Sequence, residues 1–299
     1  MIRPVAAAAL VLLAFSASEA TAGAVDPSPP QLSLEPLWTL EGFDSPESVL
    51  PSADGRELYV SNVGGEGGDR DGNGFISRVA PDGRMIEREW ITGLDAPKGM
   101  ALRDGRLFVT DIDKIVEIDA VAGRIVARHQ AEGATFLNDA AVAPDGTILA
   151  SDSGGSRIYA LQERGGTSRV EIWALDPRLS AINGLLPEPE RLVIVTMQGV
   201  VLTMDWGTRA IGLLAVGVGD GDGVVPTQDG GYIVGEWPGR LFHISGRGDR
   251  RMILDRRQEP QIYQNDFVRV GDVLIVPNLS PGTVTAHRIL NEGVPPPSR

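Results

Sequence analysis

The chain has no cysteine, three histidines and few aromatic residues (5%) among its 299 residues. Without cysteine a disulfide framework is excluded, so core packing and chain closure must hold the fold. The histidines, His129, His243 and His287, all fall outside the signature positions of the repeats. That disfavours the nitrogen- and sulfur-rich sites of zinc or copper. Basic residues are scarce too: 27 Lys and Arg against 40 Asp and Glu leave a net charge of −13. Such a chain repels nucleic acid and anionic membrane and gathers cations, although most of this charge reads as solvated surface. Long apolar runs are missing except near the start. Residues 5–15 follow Arg3 and precede the small-residue exit Ala20-Thr21-Ala22. This is the pattern of a secretory signal peptide, too short to span a bilayer in the mature protein. An uncleaved anchor is the alternative. The expected organisation is a signal peptide at 1–22, a Pro-rich tether at 23–36, one folded domain at 37–290 and a disordered tail at 291–299.

What is present is a repeat. A polar residue, a small residue, an apolar pair, a turn and a β-branched run recur at Glu47, Lys98, Asn138, Asn183, Asp222 and Asn265. Successive positions are 51, 40, 45, 39 and 43 residues apart. A strand-rich period of about 40–50 residues is the signature of a β-propeller blade. The expected fold is therefore all-β, a six-bladed propeller with almost no helix; a β-sandwich is the alternative, but six similar units divide poorly between two sheets. Five repeats supply four strands each, whereas the sixth ends one short at residues 283–290. The unpartnered segment LWTLEG (37–42) is expected to complete the sixth blade and close the ring, which removes free sheet edges.

In an up-and-down blade with strands A to D, the start of strand A and the end of strand B share one face. The six polar residues therefore form a ring on one axis, and Asn62, Asp111, Asp152, Thr196, Glu236 and Asn278 are expected to form a second polar set converging there. Oxygen donors without His or Cys suit Ca²⁺, Mg²⁺ or Mn²⁺. For any single position a structural role is the alternative, because Asn and Asp before strands often satisfy turn backbones.

Pro46-Glu47-Ser48-Val49, Asn138-Asp139 within FLNDAAVAPDG, Asn183-Gly184-Leu185 and Asp222-Gly223 together carry a resemblance to the senescence marker protein / gluconolactonase (regucalcin-like) family, over residues 37–290. The resemblance implies a six-bladed propeller with one divalent cation in its channel, Ca²⁺ first among the candidates. It implies metal ligands at Glu47, Asn183 and Asp222, with Asn138 close to metal and substrate and Asp222 as the base. Asp139 and Asn265 join the expected substrate-binding set. Sugar-lactonase members read Arg-x-Asn-Asp where this chain has Phe136-Leu137-Asn138-Asp139. Phenylalanine for arginine removes a bidentate clamp on a sugar and makes the pocket more apolar. Lys98 in the ring either holds an anionic group or neutralises Asp111, Asp139 or Asp222.

Residues 64–77 (GGEGGDRDGNGFIS) copy the start of a calcium loop at Asp69, Asp71 and Asn73, but Ala80 stands where an EF-hand needs its bidentate acid. The readings are a weak second Ca²⁺ site or a flexible Gly-rich loop, beside the channel mouth and able to act as a lid in either case. GDGDG at 219–223 precedes a strand rather than a helix, which argues against a phosphate loop. The expected function is an exported, metal-dependent hydrolase of the lactonase or esterase type, a monomer acting on a small molecule, with Phe136 and Lys98 shaping specificity. A non-catalytic metal-containing propeller that binds a ligand or a protein partner is the alternative.

Overall fold

The computed structural model describes residues 32–259 and 262–291. The expected signal peptide, residues 23–31 of the tether and residues 292–299 of the tail lie outside them. Among the described residues twenty-four strands make six antiparallel sheets of four strands each. Strand A of each blade touches strand A of the next, so these strands ring one axis. They are Pro46–Pro51, Pro97–Arg103, Leu137–Val142, Ile182–Pro187, Gly221–Pro226 and Val268–Val270. The B strands beside them are Leu58–Asn62, Arg106–Asp111, Ile148–Asp152, Arg191–Thr196, Tyr232–Glu236 and Val273–Asn278. Among the described residues the one helical element is a single 3-10 turn, Pro177–Leu179.

The sixth blade closes as expected. Its outer strand is Leu32–Glu41, paired antiparallel with Thr283–Asn291. That strand starts at Leu32 rather than at residue 37, so residues 32–36 of the expected tether belong to the propeller. Asn291, placed in the tail by the sequence, ends the partner strand. Among the described residues no helix is long and apolar enough to cross a membrane.

The core lies between blades. Leu149, Ile158 and Ala160 of blade three pack with Ile182, Leu192, Ile194 and Leu202 of blade four. This explains why the inner strands read as β-branched runs rather than alternating ones: both faces of each inner strand meet a neighbour.

One irregularity recurs and positions the site. The A–B ladder loses register between Pro46 and Val49, Pro97 and Met100, Leu137 and Ala140, Ile182 and Leu185, and Gly221 and Val224. Each break contains a signature pair: Glu47-Ser48, Lys98-Gly99, Asn138-Asp139, Asn183-Gly184 and Asp222-Gly223. A β-bulge bends the strand and re-aims a side chain, and here it turns the polar residue towards the axis.

The following small residue is needed because adjacent A strands come very close. A Cβ on Gly99 would sit 2.5 Å from Asp139 Cα, and one on Gly184 would sit 2.3 Å from the Asp222 carbonyl oxygen. Blades three and six carry Asp139 and Asp266 at this position instead of a small residue. Asp266 bridges blade six to blade one through Ser48, whose Oγ donates to Asp266 Oδ2 at 2.8 Å.

Candidate metal and substrate site

All six signature residues line one cavity of about 350 Å³. All are buried as residues, with Glu47 6%, Asp222 4% and Asn183 2% exposed. Phe136, just ahead of strand A in blade three, lines the same cavity.

Two of the acids are left incomplete. Glu47 Oε2 and Asp222 Oδ1 are buried and have no hydrogen-bond partner among the described residues. Asn265 Nδ2 is in the same condition. Burial raises the Glu47 carboxyl well above its ordinary range, and Asp222, Asp266 and Asp139 add to this while Lys98 opposes it. Asp222 is raised well above its range by burial and then by Asp266, against a hydrogen bond from Asn183. Carboxylates packed like this lack a counter-charge in direct contact, since a buried acid normally touches a cation or several N–H donors. Among the described residues no three His, Asp or Glu side chains group as a cation site by themselves. A cation here would need Glu47, Asp222 and the Asn183 amide oxygen together.

Among the described residues Lys98 makes no direct ion pair. Its Nζ donates to the Gly67 carbonyl at 2.8 Å and to the Ala96 carbonyl at 3.0 Å, and lies 4.4 Å from the Phe136 ring centroid. Burial lowers its pKa, opposed by Glu47 and Asp111. Of the partners expected from sequence, Asp111, Asp139 and Asp222, it is Asp111 that acts on the lysine; Glu47, not among them, acts on it more strongly. Through Gly67, the lysine holds the 64–77 segment over the cavity, which Gly65, Glu66 and Gly67 line. Arg70 ties the same segment to Asp113 at 2.9 Å. The position beside the channel mouth is as expected. Asp71, a candidate for a second calcium site, instead accepts from the backbone N–H and side-chain amide of Asn73.

Asn138 Nδ2 donates to Ser153 Oγ at 3.2 Å, leaving its other amide hydrogen free. Asp139 does not join the cavity. Its carboxylate turns into the backbone and accepts from Ala140 and Leu185 N–H, each at 2.6 Å. It borders a separate apolar funnel at the opposite end of the channel. The bulge sends neighbouring side chains opposite ways, so the Asn-Asp pair cannot both face one ligand.

The second polar set does not converge on the cavity either. Asp111 accepts from Asp95 and Ala96 N–H, Asp152 from Thr135 and Phe136 N–H, and Asn62 Oδ1 from Asp44 N–H. Thr196 Oγ1 accepts from Val200 N–H, Glu236 pairs with Arg240, and Asn278 Nδ2 donates to Thr283 Oγ1. In the first three blades this residue pins the loop entering strand A, and so fixes the ring residue two or three positions on. Asp152→Ala is expected to destabilise the protein by about 1–3 kcal/mol, because it orphans two N–H groups at a buried acceptor. That corresponds to a fall of roughly 2–10 °C in a melting curve; an unchanged curve would show that water replaces the pin.

Sequence reading missed Val63, Met197, Trp237 and Leu279, which also line the cavity. Their shared signal is position: each directly follows the last residue of a B strand.

No protein-family model and no curated protein matches the sequence. Solved structures do match in fold. A protein assigned as a gluconolactonase aligns with a TM-score of 0.65 at 15% identity, covering 90% of this chain and 96% of its own. A luciferin-regenerating enzyme gives 0.60 at 15%, covering 88% and 97%. A catalytically inactive virginiamycin B lyase from Staphylococcus aureus, with a histidine replaced by alanine and quinupristin present, gives 0.60 at 12%, covering 87% and 100%. At such identities the likeness establishes the propeller fold that the resemblance implied.

Proposed function

We propose that the chain is an exported, divalent-cation-dependent hydrolase of the lactonase or esterase type, acting on a small molecule in the central cavity. The observation that supports it best is the pair of buried carboxylate oxygens without partners, Glu47 Oε2 and Asp222 Oδ1, beside Asn183 at the wall of a ligand-sized cavity. These oxygens fit a hard cation, Ca²⁺ before Mg²⁺ or Mn²⁺. Such an ion, when bound, supplies polarisation of an ester carbonyl and acidification of water.

The remaining roles fall to side chains. Asn183 donates to Asp222 and fixes its carboxylate. Asp222, at the wall of the cavity with one oxygen free of a protein partner, is placed to act as the base taking the proton of attacking water. Asn138, anchored by Ser153, offers its free amide hydrogen to a substrate oxygen; Asn265 Nδ2 is a second donor. The Gly65–Gly67 stretch, latched by Lys98, limits water access.

An elimination of the virginiamycin lyase kind has less support. That lyase is inactive when a histidine is replaced, and no histidine lines this cavity. His129 pairs with Glu117, His243 with Asp229, and His287 contacts Thr285 in the outer part of blade six.

The test is hydrolysis of a panel of lactones and aryl esters by metal-stripped mature protein, with Ca²⁺, Mg²⁺, Mn²⁺ or Zn²⁺ restored. Turnover that returns with a hard cation supports the proposal. A cation-dependent rise in melting temperature with no turnover would leave a ligand-binding propeller.

A further inference from the structure

The residues that directly follow the B strands are Val63, Ile112, Ser153, Met197, Trp237 and Leu279. Four of these line the cavity, and Phe136 adds a fifth apolar side chain. Met197, which lines the cavity, is 39% exposed. The two aromatic walls are held in place. Trp237 stacks on Tyr263 with ring centroids 4.2 Å apart and 17° between planes. The Phe136 backbone N–H is pinned by Asp152, and its ring lies against the Lys98 ammonium.

The collar offers little to a hydroxylated ligand. Two of the three Lys98 N–H groups are taken by carbonyls. The ring amides and carboxylates sit at the channel floor, where the reacting ester would be. Hydroxyl groups away from the ring would face mainly Val63, Met197, Trp237, Leu279 and Phe136, with Ser45 and the exposed Glu66 the polar side chains beside them, so most of the water they lose would go unreplaced. A cavity with an apolar wall and a few convergent polar groups fits a ligand with one polar end.

We infer that this site takes apolar esters or lactones, with an alkyl or aryl group in the collar and the ester at the ring, and discriminates against polyhydroxylated lactones. The inference rests on the hydrolase reading for the reacting group alone; the collar selects its ligand whether or not turnover follows.

Binding of non-hydrolysable lactams separates the two. With Ca²⁺ present, calorimetry would compare a six-membered lactam bearing a hexyl chain with glucono-δ-lactam. The hexyl lactam is expected to bind about 10²-fold more tightly. Met197→Ser and Trp237→Ala are each expected to weaken it by about tenfold or more and to leave the sugar lactam unchanged. The exposed Met197 makes its variant a readout independent of any folding defect at Trp237. Equal or tighter binding of the sugar lactam, no binding of either, or hexyl-lactam binding unaffected by Met197→Ser would overturn the inference. Selective binding without hydrolysis of the matching lactones would instead overturn the hydrolase reading and leave the ligand class standing.

Discussion

Asp222→Asn is expected to reduce cation-dependent hydrolysis by about 10²–10⁴-fold, the usual range for a lost general base, while making the cation-free protein more stable. The two effects have one origin. Asp222 is buried, one oxygen has no partner, and Asp266 and Glu47 press on it electrostatically. Its raised pKa means the folded state disfavours the charged form, so a neutral amide of the same shape removes a penalty. A gain of about 1–3 kcal/mol would raise the melting temperature in chelator by roughly 2–10 °C. The same variant should lose most of the melting-temperature gain that Ca²⁺ gives the parent. A variant less stable than the parent in chelator would show that the carboxylate is already satisfied without a cation, and the metal assignment would fall with it.

The pH dependence follows the same sign. Asp266 is raised to about 6 by burial, and Asp222 and Glu47 are raised as well. Groups with raised folded pKa values favour folding below their unfolded values, and that contribution is lost as pH rises through the folded ones. The cation-free protein thus carries the full penalty at neutral pH and sheds it on acidification. A bound cation would offset the penalty, so the Ca²⁺-induced gain in melting temperature should shrink as acidification protonates Glu47 and Asp222, whose carboxyls are raised well above their ordinary range. His287 works the other way: burial lowers it to about 4, so its contribution is lost as pH falls below its unfolded value. Its distance from the ring makes it common to both forms, and it cancels in the difference.

The fold was legible because a propeller writes itself in the sequence as a period. The period placed Glu47, Lys98, Asn138, Asn183, Asp222 and Asn265 around one cavity. It also left the first strand as the missing partner of the last. What it could not convey was direction. Asn138 and Asp139 are adjacent and both polar, yet the bulge between Leu137 and Ala140 sends one to the cavity and the other to the Leu185 amide. Register breaks of this kind have no composition of their own. Asp111 and Asp152 were visible as a repeat as well, but a carboxylate that caps a loop and one that binds a cation look alike until the N–H groups around it are located. Trp237 and Met197 went unread for the opposite reason: apolar residues after a strand look like ordinary core.

Deleting residues up to Glu41 is expected to abolish cooperative folding of the monomer. Leu32–Glu41 is the outer strand of blade six, paired from Leu32 with Asn291 to Glu41 with Thr283. It also seals two inter-blade clusters. Leu32 and Leu34 pack with Ile233 and Leu241 of blade five, whereas Trp38 and Leu40 pack with Val49, Leu58 and Val79 of blade one. Removing one buried and three half-buried large apolar side chains, each worth up to about 1.5–3 kcal/mol, together with a whole strand ladder, takes away a large share of the net stability of a typical domain, about 5–15 kcal/mol. The exposed edge of Thr283–Asn291 would then invite pairing between chains. A synthetic peptide of residues 32–41 should restore folding in trans by adding the missing strand. A truncated protein melting within a few degrees of the mature chain would refute this closure. The site depends on it too, because Asn265 enters the ring from blade six and Ser48 meets Asp266 across the seam between blades six and one. A propeller that opens there loses its cavity along with its stability, so cation binding and the closing strand should be lost in one transition.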